Sequence, residues 1–231
     1  MFGSSRELWE ACGAASTVLI DISIGLTDSP DQRECDFEAR RALGPRRSSV
    51  FTPPSRAALE ARSYREASTL NFRETGRKLN LQTWNISEKI REVDELLRGD
   101  GDARSRVREV HPEVCFWGLA GGRPMNVRKK DRDSLKERLD LLSRYDANSP
   151  ETYEEAMNRF PRRELARDDI LDSMVAALTA DSPSDDLRTL PTGEGWSPTS
   201  PTRWRRSPVP PRRPSPTHWR SPRSTGWYPT G

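Results

Sequence analysis

The chain is poor in the residues that build metal sites from nitrogen and sulfur. Its 231 residues hold two histidines, His111 and His218, and three cysteines, Cys12, Cys35 and Cys115, none in a Cys-x-x-Cys spacing. That excludes a zinc site of ordinary design. An odd cysteine count without paired spacing also argues against a disulfide framework and fits a reducing compartment. Long hydrophobic runs are lacking too. No stretch approaches the roughly 20 apolar residues of a membrane span. Ala11 to Ile20 is apolar, but Arg6, Glu7 and Glu10 precede it and Asp21 follows, which is not the layout of a secretory signal. The expectation is a cytoplasmic protein without membrane contact.

A third absence divides the chain. From Pro191 to Gly231 the sequence is mostly Pro, Ser, Thr, Arg and Trp, with almost no Leu, Ile or Val. The aliphatic residues able to bury a core lie before that point. The expected organisation is one domain over 1–185 and a disordered tail over 186–231. The net charge of +3 divides in the same way. The stretch 191–231 holds seven arginines and one acid, +6, which leaves −3 on the remainder. The basic pI therefore belongs to the tail and says nothing about nucleic acid on the folded part.

What is present reads as alternating strands and helices. Thr17 to Ile24 is a β-branched and aliphatic run of the kind buried on both faces of an α/β sheet, with Asp21 inside it. A helix is expected over 31–43 with Gly44 as its stop, then extended chain through Pro53-Pro54, short helices over 55–62 and 64–74, and a longer one over 83–98. A turn at Gly99-Asp-Gly-Asp leads to a second strand over 106–110. Pro112 opens a helix there, and helices over 135–145, 151–160 and 168–180 follow. The class is α/β. Two strands make a poor sheet by themselves, so strands are missing from this pattern.

Carboxylates are the candidate chemistry. Asp21 in an apolar strand costs several kcal/mol unless it is partnered or metal-bound. The plainer alternative is a strand-end charge held by an arginine or backbone amides. Glu109 and Glu113 flank the end of the second strand, where the positive end of a helix also favours a glutamate. His111 between them reads equally as a hydrogen-bonded turn residue. Asp168, Asp169 and Asp172 open the last helix, with Asp168 as cap and the other two sharing one edge. Two or three carboxylates converging from strand ends and a helix are what two divalent ions require to support in-line attack on a phosphodiester, but spacing alone does not show convergence.

Eight ordered blocks carry a resemblance. They are Ile20 to Leu26, Arg33 to Asp36, Ala39 to Gly44, Ser48 to Phe51 with Pro53-Pro54, Leu81 to Asn85, Ile90 to Asp94, Glu109 to Phe116, and Asp168 to Asp172. The chain resembles a widespread family described as predicted RNase H-like nucleases, otherwise domain of unknown function four-two-nine. The resemblance implies an RNase H-like mixed sheet with flanking helices and hydrolysis of nucleic acid phosphodiesters with Mg2+ or Mn2+. It makes Asp21, Glu109, Asp169 and Asp172 the catalytic acids and adds Glu113 as a metal ligand. Arg46, Arg47, Gln82, His111 and Lys129/Lys130 become candidate polar or phosphate contacts, although solvated surface charge suits the lysines better.

Relatives open with a Gly-x-Asp strand that this chain does not contain. The expectation is a domain incomplete at its N-terminus and impaired as a nuclease. The tail departs from the family as well, and three readings stand: a basic arm contacting nucleic acid through arginine and tryptophan, a Pro-rich ligand around Pro208 to Pro211, or an out-of-frame end. The alternative function is a non-catalytic nucleic-acid or protein binding module that uses this tail.

Overall fold

In the computed structural model, which describes residues 2–26, 28–125, 132–182, 187–190 and 202–204, the chain opens with helix α1 (Ser5–Ala11). Ser4 caps it by accepting the Glu7 amide. Strand β1 (Val18–Ile20) follows and is shorter than the apolar run around it. The reason lies at Ile24. Its N–H donates to Glu109 Oε2 at 2.8 Å and its C=O accepts from Arg33 Nη1 at 2.6 Å. Side chains have taken the backbone groups that a neighbouring strand would need.

Helix α2 (Glu34–Leu43) stops at Gly44, whose φ of 51° has no Cβ to oppose it. A 3-10 turn over Gly44–Ser49 and extended chain lead to α3 (Arg56–Leu59) and α4 (Tyr64–Thr75), capped by Ser55 and Ser63. The helix expected over 83–98 is two helices, α5 (Leu81–Asn85) and α6 (Ser87–Gly99). Asn80 caps α5, and the break at Ile86 leaves α5 free to anchor on the Pro53-Pro54 segment, where Thr83 Oγ1 donates to the Thr52 carbonyl. The expected Gly99 turn is instead the entry to α7 (Gly101–Arg106). Asp100 Oδ1 accepts the amides of Asp102 and Ala103 there, a cap strong enough to override the glycine.

Strand β2 (Val107–Glu109) then pairs parallel with β1, with Val18 opposite Val107, Leu19 opposite Arg108 and Ile20 opposite Glu109. Pro112 occupies the first position of α8 (Pro112–Leu119). Helices α9 (Arg132–Ser143), α10 (Ser149–Arg159) and α11 (Arg167–Ala180) complete the helical set. Strands β3 (Leu187–Thr189) and β4 (Thr202–Trp204) form a separate antiparallel pair. The remainder of the expected tail, and Lys129 and Lys130, lie outside the described residues.

The architecture is thus a mixed α/β fold in which helices far outweigh strands. Its largest core cluster joins Val110, Phe116 and Leu142 to Ile170, Leu171 and Val175 of α11, with Met174 and Leu178 packed against it. This apolar stripe seats α11 on α8 and α9. A second cluster packs Trp9 of α1 and Val93, Leu96 and Leu97 of α6 against Val18 and Val107 of the sheet. Among the described residues, no helix is long and apolar enough to cross a membrane.

Candidate functional site

The apolar stripe of α11 faces the core, and another face of that helix is left to line a cleft. This face carries Asp169, Asp172 and Ser173, then Ala176, Ala177 and Ala180, and it looks across a cleft of about 370 Å³ at Leu19, Ile20 and Asp21 of the β1 region and at Pro112 of α8. Three of the expected acids, Asp21, Asp169 and Asp172, therefore line one cavity although they come from opposite ends of the sequence. Asp21 and Asp169 are exposed, whereas Asp172 is buried at 9% relative accessibility.

The helix N-terminus contributes to this face. Ala166 is the N-cap of α11 and no side chain caps it, which corrects the reading of Asp168 as the cap. Asp168 and Asp169 lie in the first turn instead, where the partial positive charge of the free amides favours them. Beneath the cleft sits Cys115, fully buried. Burial pushes its thiol up to about 12, and the negative field of Asp21 and Asp172 adds to the shift.

The two expected glutamates are held elsewhere. Glu109, on the last residue of β2, accepts from Arg33 with both oxygens, at 2.7 Å from Nη1 and 2.8 Å from Nη2. The other side of the same guanidinium holds Asp36, from Nε at 3.2 Å and Nη2 at 2.5 Å. With the Ile24 carbonyl, all five Arg33 donors are used. Burial alone would lower the Arg33 pKa; Glu109 and Asp36 outweigh it and keep the cation protonated above its ordinary range. Cys35 lies against this network and burial raises its thiol to about 12.

Glu113, in the first turn of α8 and 2% exposed, belongs to a second network. Its Oε1 accepts from Arg46 and from Arg138, each at 2.7 Å. Arg138 is fully buried, donates also to the Ser134 hydroxyl and lies over the Phe116 ring. Two buried or half-buried cations thus share one carboxylate, and Glu113 Oε2 and Arg138 Nε have no hydrogen-bond partner among the described residues. His111 Nε2 sits 3.1 Å from the Ser49 carbonyl, a turn-bracing contact. Arg47 and Gln82 are exposed and away from the cleft lining.

The structure therefore brings Asp21, Asp169 and Asp172 to one cavity and puts Glu109 and Glu113 in two arginine networks. Arg33 and Asp36 lie in one of the blocks that carry the resemblance but were given no role from sequence, and Arg138 was not singled out at all. An arginine followed three residues later by aspartate, as at Arg33 and Asp36, was the available signal, but a surface helix start shows the same spacing. Carboxylate oxygens are the right donors for Mg2+ or Mn2+. Among the described residues, however, no group of three or more His, Cys, Asp or Glu is gathered tightly enough to hold an ion. The donor chemistry fits a cation held by one or two acids plus ligands from outside, and not a closed protein cage.

A mixed α/β chain with an acid-lined cleft beside a short parallel strand pair is what the fold and the cleft define. The chain belongs to the family described as Protein of unknown function (DUF429), whose model matches residues 1–194. No curated protein and no solved structure matches it.

Proposed function

We propose that the cleft beside β1 is a divalent-cation site of the RNase H-like type and that the chain acts weakly on nucleic acid phosphodiesters. The observation that carries this reading is that Asp21, Asp169 and Asp172, from a strand end and from one helix face, line a single cavity. Mg2+ and Mn2+ are commonly bound by one or two carboxylates together with substrate phosphate oxygens, so an incomplete carboxylate set suits a cation that arrives with its substrate.

Asp169 and Asp172 would hold the cation from α11 and Asp21 from the strand. When bound, the cation supplies Lewis-acid polarisation of the phosphoryl group and a lowered pKa for its water. The protein's own part is to keep the acids oriented. The stripe of Ile170, Leu171 and Val175 in the core fixes the rotation of α11, which decides where Asp169 and Asp172 point. Glu109, held by Arg33, fixes Ile24 and with it the chain that leaves β1 through Asp21. In this reading Glu109 and Glu113 are positioning residues.

Cleavage of fluorescent single-stranded and duplex DNA and RNA in Mn2+ tests the proposal. The expected result is slow, Mn2+-dependent cleavage that the Asp21→Asn/Asp169→Asn double variant loses. Cleavage that persists unchanged in the double variant, or no cleavage and no Mn2+ binding in the parent, overturns it.

A further inference from the structure

The basic end of the chain takes no part in the chemistry described so far. Residues 196–231 hold seven arginines, no lysine and no acid, together with four of the chain's seven tryptophans. They also hold a repeat. Ser200-Pro-Thr-Arg-Trp-Arg205 recurs fifteen residues later as Ser215-Pro-Thr-His-Trp-Arg220, identical at five of six positions. Ser-Pro follows each copy, at 207–208 and at 221–222. What recurs is a tryptophan with an arginine directly after it.

The composition indicates what such a pair meets. A tryptophan stabilises a fold by burying its ring among apolar side chains, and the aliphatic content of 196–231 is Val209 alone. That makes no core for four indole rings within the stretch, and the flat face of a ligand is the other partner a ring can take. The net charge of +7 over the same residues calls for a ligand of high negative charge. Single-stranded nucleic acid supplies both, phosphates for guanidinium groups and base faces for indoles. A Pro-rich ligand around Pro208 to Pro211 would use neither the tryptophans nor the repeat.

The structure ties the first copy to the body. Thr202–Trp204 pairs antiparallel with Leu187–Thr189, with Leu187 opposite Trp204. Leu190, the next residue, packs against the cluster of Ala39, Leu43, Val50 and Val114. Leu43 and Val50 bracket the turn that carries Arg46 and Arg47, and Arg47 is exposed. The second copy lies outside the described residues. We propose that residues 196–231 bind single-stranded DNA or RNA, with arginines on phosphates and the tryptophan of each copy stacked on a base. The proposal invokes no residue of the cleft and stands apart from the cation reading.

The test uses the full chain in EDTA, with fluorescein-labelled 20-mers of deoxythymidine and of uridine. Saturable binding of both is expected, with quenching of tryptophan fluorescence. Deleting 205–231 removes six of the seven arginines and should abolish binding with the circular dichroism spectrum unchanged. Trp219→Ala should weaken binding about tenfold, the size of one lost base stack, and leave the salt dependence as it was. Arg220→Gln with Arg223→Gln should do the converse to the salt dependence, making the log–log slope shallower by about 1.4 for two lost phosphate contacts.

Absence of oligonucleotide binding overturns the proposal, and capture of a purified SH3 domain in its place would make the segment a Pro-rich ligand. Binding that survives the deletion also overturns it, since the interface would then lie on the body. So does a Trp219→Ala chain that binds as the parent does, or inorganic polyphosphate that competes as well as the oligonucleotide at equal phosphate. Either result would reduce the contact to charge alone.

Discussion

Two sets of carboxylates in this molecule contrast sharply. Asp36, Glu109 and Glu113 are enclosed in arginine networks, while Asp21, Asp169 and Asp172 face a cavity. The residue types are the same, and so is the location near the ends of the strands. What differs is the surroundings: guanidinium groups inside the fold grip the first set, and the second lines a cleft. A carboxylate whose oxygens are filled by buried guanidinium donors contributes to structure, because removing the partner leaves an uncompensated charge. One that lines a cleft can take a ligand from outside.

The largest test of this contrast is Arg33→Met. It leaves Asp36 and Glu109 buried without their cation and should cost about 3–5 kcal/mol in urea unfolding. Replacing all three residues at once, Arg33→Met with Asp36→Leu and Glu109→Leu, should recover part of that loss. It should not recover all of it, since the N–H and C=O of Ile24 lose their partners, at about 1–3 kcal/mol for each group left unsatisfied. Full recovery would show that the Ile24 bonds contribute nothing.

Glu113→Leu removes the carboxylate to which Arg46 and Arg138 both donate, and leaves Arg138 buried against Ser134 without it. The expected loss is about 3 kcal/mol by the same measurement. A change near zero would mean that Arg138 finds solvent when its partner is gone.

The buried thiols give a smaller, pH-dependent effect. Cys35 and Cys115 are raised from the ordinary 9.0 to about 12, by burial in both cases. Between those values the unfolded chain releases thiol protons that the folded chain keeps, so stability is fully present below pH 9.0 and falls as pH rises toward about 12. Urea midpoints that drop less above pH 9.0 in the Cys35→Ala/Cys115→Ala variant than in the parent would confirm the sign; iodoacetamide at pH 8 should label neither thiol in the folded chain. The smallest stability effect is Asp169→Asn. Changing an exposed residue in the first turn of α11 should cost at most about 1 kcal/mol through the helix dipole, while on the proposed reading Mn2+ binding should fall by far more.

The same contrast explains which parts could be read from sequence. The β-branched run around Leu19, the proline at the start of α8 and the apolar stripe of α11 are local patterns, and the elements appear where those patterns lie. β1 stops early because its continuation is claimed by Glu109 and Arg33, residues distant in sequence from Ile24 or one side chain's reach away, and no local pattern encodes that. α7 was missed because two glycines masked the Asp100 cap. Asp169 and Asp172 were legible as a pair on one helix edge. Their meeting with Asp21 needed the seating of α11 beside β1, and the diversion of Glu109 and Glu113 needed Arg33, Arg46 and Arg138 brought in from other helices and turns.

The claim that the acids lining the cleft form the site is tested most directly by Mn2+ titration followed by NMR. Paramagnetic broadening should appear at the amides of residues 19–22 and 169–173 in the parent chain and should be absent from them in the Asp21→Asn/Asp169→Asn double variant, with the fold intact. Broadening elsewhere, or broadening around the cleft that the double variant leaves unchanged, would contradict the account.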